Sequence, residues 1–316
     1  MTKTSLLAAT TLASSLLALT PAHALQSRAW VSGHGVDQAG CGAPTSPCRS
    51  FQYVHDNVIA AGGEIDVLDP AGYGAVTITK ALSIVNDGVG AAGVQAASGN
   101  AITINAGPND VVTLRGVTID GLGTGSYGIL FNSGAGLTVV DCVARHFTVA
   151  GVSIQPTSGS VNGFISKVIA SDNGNYGVEF FTPSGAPSVT GVIDRVTAAN
   201  DTSAGLFIHT AYASGGAMTL ALSNDIAVND GYGIYVLNAA ARLTASIDRS
   251  TMSGNQLGIY AGGTATLLLG RSVITSNTYG VSDNTSSSTI YTYGDNRING
   301  NGTDVAGALN TTYKPQ

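Results

Sequence analysis

A glycine followed by an aliphatic residue returns seven times along this 316-residue chain, at Gly128, Gly151, Gly177, Gly205, Gly233, Gly258 and Gly280. The intervals are 23, 26, 28, 28, 25 and 22 residues. A period in this range marks a stacked-repeat architecture, in which each repeat contacts only its neighbours. Within a repeat the apolar residues fall in three short runs, as at 177–180, 188–190 and 192–196. Period-two alternation, a richness in Val, Ile, Thr and Tyr, and punctuation by Gly, Asn, Asp and Ser predict strands there. Successive parallel strands of an ordinary sheet need a crossover of about a dozen residues or more, usually a helix. No helical pattern separates these runs. They fit an all-β, single-domain parallel coil in which each strand pairs with its counterpart one coil later.

Two further columns support that register. Asn173, Asn200, Asn229, Asn255, Asn277 and Asn301 recur near the end of each repeat. Asn tolerates left-handed backbone, and amides stacked one strand spacing apart hydrogen-bond along the axis, so an Asn ladder at a turn is expected. Amides without clustered carboxylates make poor metal ligands, and nothing in the sequence asks for a metal or another cofactor. Lys167, Arg195, Asp225, Arg249, Arg271 and Asp295 form a charged column on the preceding segment, expected to be a solvated, mutually neutralising face. Charged residues are only 10% of the chain, while Gly numbers 42, as turn-rich stacked coils require.

The N-terminal 24 residues carry Lys3, an apolar run from Leu6 to Leu19, and a small-x-small site at Ala22-His23-Ala24. This pattern predicts a secretory signal peptide over 1–24, and no other stretch is apolar for long enough to span a bilayer. Without Lys3, 12 basic residues face 19 acidic ones, a net charge of −7. The basic residues are dispersed, so nucleic acid is not an expected partner. Cys41 and Cys48 close a short loop suited to a disulfide in an oxidising compartment, either extracellular or periplasmic, and Cys142 is expected to be buried. After the loop, Phe51, Val54, Val58 and Ile59 fall at helical spacing, with Ser50 as N-cap and Gly62-Gly63 as terminator. A terminal helix of this kind covers the open strand edges of a coil. The predicted organisation is therefore a cap over 25–63, the coil over 64–303, and a C-terminal cap or tail over 304–316 of a monomer.

The Tyr127-Gly128-Ile129, Tyr176-Gly177-Val178, Tyr232-Gly233-Ile234 and Tyr279-Gly280-Val281 strand openings, with Gly62–Leu68 and Gly72–Ile84 as a first coil, resemble right-handed parallel β-helix domains of the pectin-lyase-like superfamily. The likeness covers nearly the whole mature chain. It implies a right-handed β-helix of about nine coils, on the order of 40 Å long at one strand spacing per coil. It also implies a polysaccharide partner, met on the outer face of the strands that begin at the repeated Gly. The sharper motifs of the superfamily are missing. There is no Asn-Thr-Asp, no Asp-Asp pair and no Arg-Ile-Lys, and Gly33-His34-Gly35 precedes the first coil. The Gly-x-Tyr-x-Glu of pectin methylesterases lacks its Glu at Ala71–Ala75.

If the residue after each Gly points inward, the next one and the one two further on point outward. The outward set is then Leu130 and Asn132, Ser153 and Gln155, Glu179 and Phe181, Phe207 and His209, Tyr235 and Leu237, Tyr260, and Ser282 and Asn284 at the far end. Aromatic residues gathered across four coils can stack on sugar rings, or on one another as cross-strand pairs. Both readings stay open at this point. His209, Tyr235 and Glu179 are the candidate catalytic residues, and Phe181, Phe207 and Tyr260 the candidate substrate contacts. Elimination from a uronic-acid sugar would use His209 or Tyr235 as base or acid, with an Arg from a neighbouring face neutralising the sugar carboxylate. Hydrolysis is disfavoured, because it needs two carboxyl groups roughly 5–9.5 Å apart and Glu179 has no outward carboxylate partner. A secreted polysaccharide-interacting protein, with cleavage as a lyase open to it, is one expectation. A non-enzymatic structural or adhesive envelope or extracellular protein is the other.

Overall fold

The computed structural model describes residues 25–183, 187–210, 216–238, 242–283, 287–309 and 311–312. The expected signal peptide and its cleavage site lie outside them. Among the described residues the chain winds through three parallel sheets, and every strand pairs with strands one coil away. The first sheet has ten strands, from Val76–Ile78 through Tyr176–Thr182, Ala204–Thr210, Tyr232–Asn238 and Leu257–Gly263 to Thr303–Ala306. The second has twelve, from Gln26–Val31 to Thr311–Thr312, and the third has ten short ones, from Ala71–Gly72 to Arg297–Ile298. The coil therefore continues past residue 303, where a cap or tail was expected. A single apolar core runs along the axis from Ala29 to Ile290.

The glycine column has a steric cause. A Cβ on Gly128 would lie 2.3 Å from the Gly151 carbonyl oxygen, one on Gly177 2.7 Å from that of Gly205, and one on Gly258 2.6 Å from that of Gly280. Adjacent coils approach too closely there for any side chain. The residue after each Gly, such as Val178, Leu206, Ile234 and Ile259, is buried in the core as the alternation requires.

Each coil turns two of its corners on single residues in the left-handed region. Between the third and first sheets these include His146, Asp172, Asn200, Asn229 and Ser276, with φ of 58–61°, and Gly254. Between the second and third they are Asp141, Lys167, Arg195, Asn224, Arg249 and Arg271, with φ of 47–59°. The residue after each corner points inward. Where that residue is Asn, Asp or Ser, its side-chain oxygen accepts the backbone N–H of its counterpart one coil earlier. One such ladder runs from Phe147 N–H to Asn173, and from the N–H groups of Asn173, Asp201, Asp230, Asn255 and Asn277 to Asp201, Asp230, Asn255, Asn277 and Asn301 in turn. The expected Asn ladder exists, but with a corrected membership. Asn200 and Asn229 hold the corner, while Asp201 and Asp230 fill the ladder. Likewise Asn224 stands in the charged column in place of Asp225. Asp225 turns inward, accepts the Val196 N–H at 2.8 Å, and belongs to a second ladder with Ser250, Ser272 and Asn296.

The N-terminal segment closes the coil as an edge cover. Helix Phe51–Asn57 is capped by Ser50, whose side chain accepts the Tyr53 N–H. Its Gln52 side-chain oxygen accepts the Thr77 N–H at 2.7 Å, and His55 Nε2 accepts the Thr79 N–H at 3.1 Å. Unpaired groups at the edge of the first sheet are thereby satisfied. Gly62-Gly63 does not end the helix. Val58 does, and both glycines lie within strand Ile59–Val67, beside the bulge between Gln26 and Arg28 of its partner strand. Cys41 and Cys48 form a disulfide, and Cys142 is buried.

Three ladder carboxyls are buried with one oxygen lacking a partner: Oδ2 of Asp201, Asp225 and Asp230. Burial pushes Asp201 and Asp225 up to about 8, helped by nearby Asp230 and Asp172 for the first and Asp194 for the second, and pushes Asp230 up to about 7. At the equivalent place Asn255 and Asn277 donate from Nδ2 to the Ala227 and Met252 carbonyls, each at 3.0 Å. The folded Asp residues hold protons that the unfolded chain releases near pH 4. Their stabilising contribution is full below that pH, falls as pH rises, and is gone above the folded values. Asp201→Asn and Asp230→Asn are each expected to stabilise the coil, with a gain near zero below about pH 4 and about 1–3 kcal/mol above about pH 8. Thermal unfolding of the variants across that range checks this, and a gain independent of pH would contradict it.

Candidate functional site

The repeated register lines up the outward residues of the first sheet in rows. One row runs Leu130, Ser153, Glu179, Phe207, Tyr235, Tyr260 and Ser282, with each Cα paired to the next across coils. The neighbouring row pairs Phe181 with His209 and His209 with Leu237. The structure thus brings together all six candidate residues: Glu179, Phe181, Phe207, His209, Tyr235 and Tyr260. Asn284, expected at the far end, lies outside the described residues.

The rings pack into one continuous surface. Tyr176 stacks on Phe207 at 4.5 Å between centroids, Phe207 meets Tyr235 at 4.9 Å and His209 at 5.3 Å, and His209 stacks on Phe181 at 5.3 Å. Tyr232 stacks on Tyr235 at 4.4 Å, and Tyr260 lies edge-on to Tyr235 at 5.1 Å. Phe207 is covered by three rings and keeps only 6% of its surface. The other rings stay half-buried and present outer faces and edges to solvent. Mutual stacking and an available surface therefore coexist.

Sequence alternation missed Tyr176 and Tyr232. Counting back in strict period two from Glu179 would turn Tyr176 inward. The close coil contact at Gly177 breaks that alternation, so the register skips the glycine and Tyr176 emerges on the outer face. The Tyr-Gly openings at Gly128, Gly177, Gly233 and Gly280 carry this signal, because there a tyrosine directly precedes the kinked glycine.

Glu179 lies on the outward row but is 5% exposed. Its Oε2 accepts from Ser153 Oγ at 2.6 Å and from Gln155 Nε2 at 3.0 Å, and Gln155 also reaches Ser153 Oγ at 2.7 Å. Burial holds the Glu179 carboxyl above the usual carboxylate range, and the two donors pull the other way. Burial lowers the His209 pKa, which favours the neutral imidazole. Burial, with the Tyr232, Tyr260 and Tyr176 hydroxyls adding to it, raises that of Tyr235, which keeps its proton. The face accordingly offers an imidazole that favours its neutral form, the protonated phenol of Tyr235 and one shielded carboxyl.

The lysine and arginine side chains gather elsewhere. Arg195 pairs with Asp194 at 2.7 Å, while Arg249 and Arg271 share Asp248 at 2.9 and 2.6 Å, all at the corner between the second and third sheets. The Arg expected to neutralise a sugar carboxylate does not reach the strip, because the cationic column belongs to a different corner of every coil. A groove of about 600 Å³ on the second sheet, lined by Phe164, Val192 and Thr190 among others, contains no titratable side chain and offers no chemistry.

A family model described as the right handed β-helix region matches residues 76–246. No curated protein sequence matches the chain. A solved pectate lyase, Pel9A, has a TM-score of 0.49 and 13% identity, over 87% of this chain and 71% of its own.

Ser153→Ala removes one of the two donors to the Glu179 carboxylate, so the Glu179 pKa is expected to rise further. Carbon NMR titration of the side-chain carboxyls reads this directly, since Glu64 is the chain's other Glu. A fall or no change would show that Ser153 does not hold the ionised form.

Proposed function

The chain belongs to the right-handed β-helix family, and from that premise we propose that it is a polysaccharide-interacting protein whose first sheet presents the contact surface. The observation that carries this is the unbroken set of rings from Tyr176 to Tyr260 on a flat outer face, positioned by the coil itself rather than by loops. Aromatic faces give a sugar ring large apolar contact at low conformational cost, and the tyrosine hydroxyls at the rim supply hydrogen bonds. Export supports the same reading. The Cys41–Cys48 disulfide suits an oxidising compartment, and the N-terminal 24 residues have the composition of a signal peptide. Among the described residues no helix is long and apolar enough to cross a membrane.

Binding is better supported than cleavage. Elimination needs a base and a group that neutralises the substrate carboxylate. Neutral His209 and the Tyr235 phenol fit the base and acid roles, but no cation stands beside them to be the neutraliser. Glu179 is the one carboxyl on this row, which leaves hydrolysis without its second carboxyl group.

Tyr260→Ala and Tyr235→Ala are expected to weaken retention on polysaccharide by about tenfold each while the far-ultraviolet β spectrum persists. Phe207→Ala instead removes a buried ring and is expected to cost about 3–5 kcal/mol of stability. Affinity electrophoresis paired with thermal unfolding separates the two effects. Retention indifferent to both tyrosines would remove the proposal and leave a structural or adhesive role for the coil.

A further inference from the structure

We infer that the aromatic strip takes uncharged glycan chains and rejects polyuronates, an inference that rests on the reading of the strip as a polysaccharide-binding surface. The seven first-sheet strands from Tyr127–Ser133 to Tyr279–Asp283, with the residues adjoining them in the chain, fall within 127–135, 150–159, 175–187, 203–216, 231–241, 256–265 and 278–288, while Lys80, after the edge strand Val76–Ile78, donates to the His55 and Ile59 carbonyls. Together these segments contain no Lys or Arg. Their acidic residues are Glu179 and Asp283, and their one histidine is His209. Lys167, Arg195, Arg249 and Arg271 stand on another side, paired with Asp141, Asp194 and Asp248 along the corner between the second and third sheets, and Arg115 and Arg145 pair with Asp87 and Asp120.

This segregation decides between sugar classes. A uronate lying on the rings would have to bring its carboxylate out of water against Phe181, Phe207 and the tyrosines, beside Glu179. Removing a charge from water without a partner costs several kcal/mol, and a second carboxyl nearby adds repulsion. Among the described residues no Lys or Arg stands on the strip to return that energy. An uncharged pyranose incurs neither cost. Its C–H face stacks on the rings, and its hydroxyls meet groups already arranged to exchange hydrogen bonds. Gln155 Nε2 and Ser153 Oγ converge on Glu179 Oε2 at one end of the strip, and the tyrosine hydroxyls border the remainder. A buried polar cluster opening onto an apolar strip recognises hydroxyl groups and penalises ligands that lack them.

Affinity electrophoresis of the mature protein through gels containing glucomannan, galactan or β-glucan, and in parallel polygalacturonate or alginate, tests this. The expected result is retardation by at least one uncharged polymer and none by the polyuronates. Retardation should stay unchanged between about 50 mM and about 500 mM salt and weaken about tenfold in Tyr235→Ala or Tyr260→Ala. Retardation by a polyuronate but by no uncharged polymer, with the affinity falling as salt rises, would overturn the inference while leaving a polysaccharide-binding protein. Absence of retardation in every gel would remove the polysaccharide reading, and this inference with it.

Discussion

Everything in this molecule depends on the coil closing at the corner before the first sheet. The chain turns there on one left-handed residue, turns the next side chain inward to accept a backbone N–H from the preceding coil, and passes a glycine lying against the carbonyl of its counterpart. Stacking identical corners fixes the rise between coils at one strand spacing. That rise sets the pairing of every strand in all three sheets. The ladder satisfies backbone groups in a place water does not reach, where an unpaired N–H would cost about 1–3 kcal/mol. The glycine column records the sharpest part of the constraint, because a methyl group there would overlap the next coil.

The same register builds the strip. Residues at one strand position are stacked whether or not they serve a function, so Glu179, Phe207, Tyr235 and Tyr260 form a row by geometry alone. What the coil leaves open is which side chains occupy each column. Cations fill the corner between the second and third sheets, where a left-handed residue with a long side chain reaches carboxylates of its own or neighbouring coils. Aromatic residues fill the first sheet, where flat neighbours stack across strands. Charge and rings are separated around the circumference, giving one rod an ion-paired corner and an apolar, nearly charge-free face.

Much of this was legible in the chain before any coordinates. The Gly interval and the three short runs per repeat specify a parallel coil, and alternation after each Gly placed Phe181, Phe207, His209, Tyr235 and Tyr260 on one face. The errors have two causes. Period-two counting holds within a strand and fails at a kinked glycine, so it overlooked Tyr176 and Tyr232. Matching residue types from repeat to repeat assigned Asn200 and Asn229 to the ladder in place of Asp201 and Asp230, and put Asp225 where Asn224 stands. Letters alone favoured the column of identical Asn residues. The corner needs a residue tolerant of positive φ, the ladder needs an inward acceptor, and Asn-Asp satisfies both in that order. The burial of Glu179 was not legible either, since it follows from side-chain packing around it and hydrogen bonds from Ser153 and Gln155 rather than from the position of its strand.

Aromatic-region NMR of the mature protein during addition of a soluble uncharged oligosaccharide tests the central claim most directly. The account predicts that the ring signals of Tyr176, Tyr235 and Tyr260 shift together, while Phe164 on the second sheet stays unmoved. Shifts centred on Phe164 and Val192, with the tyrosines of the strip unchanged, would contradict it and move the binding surface to the other face of the coil.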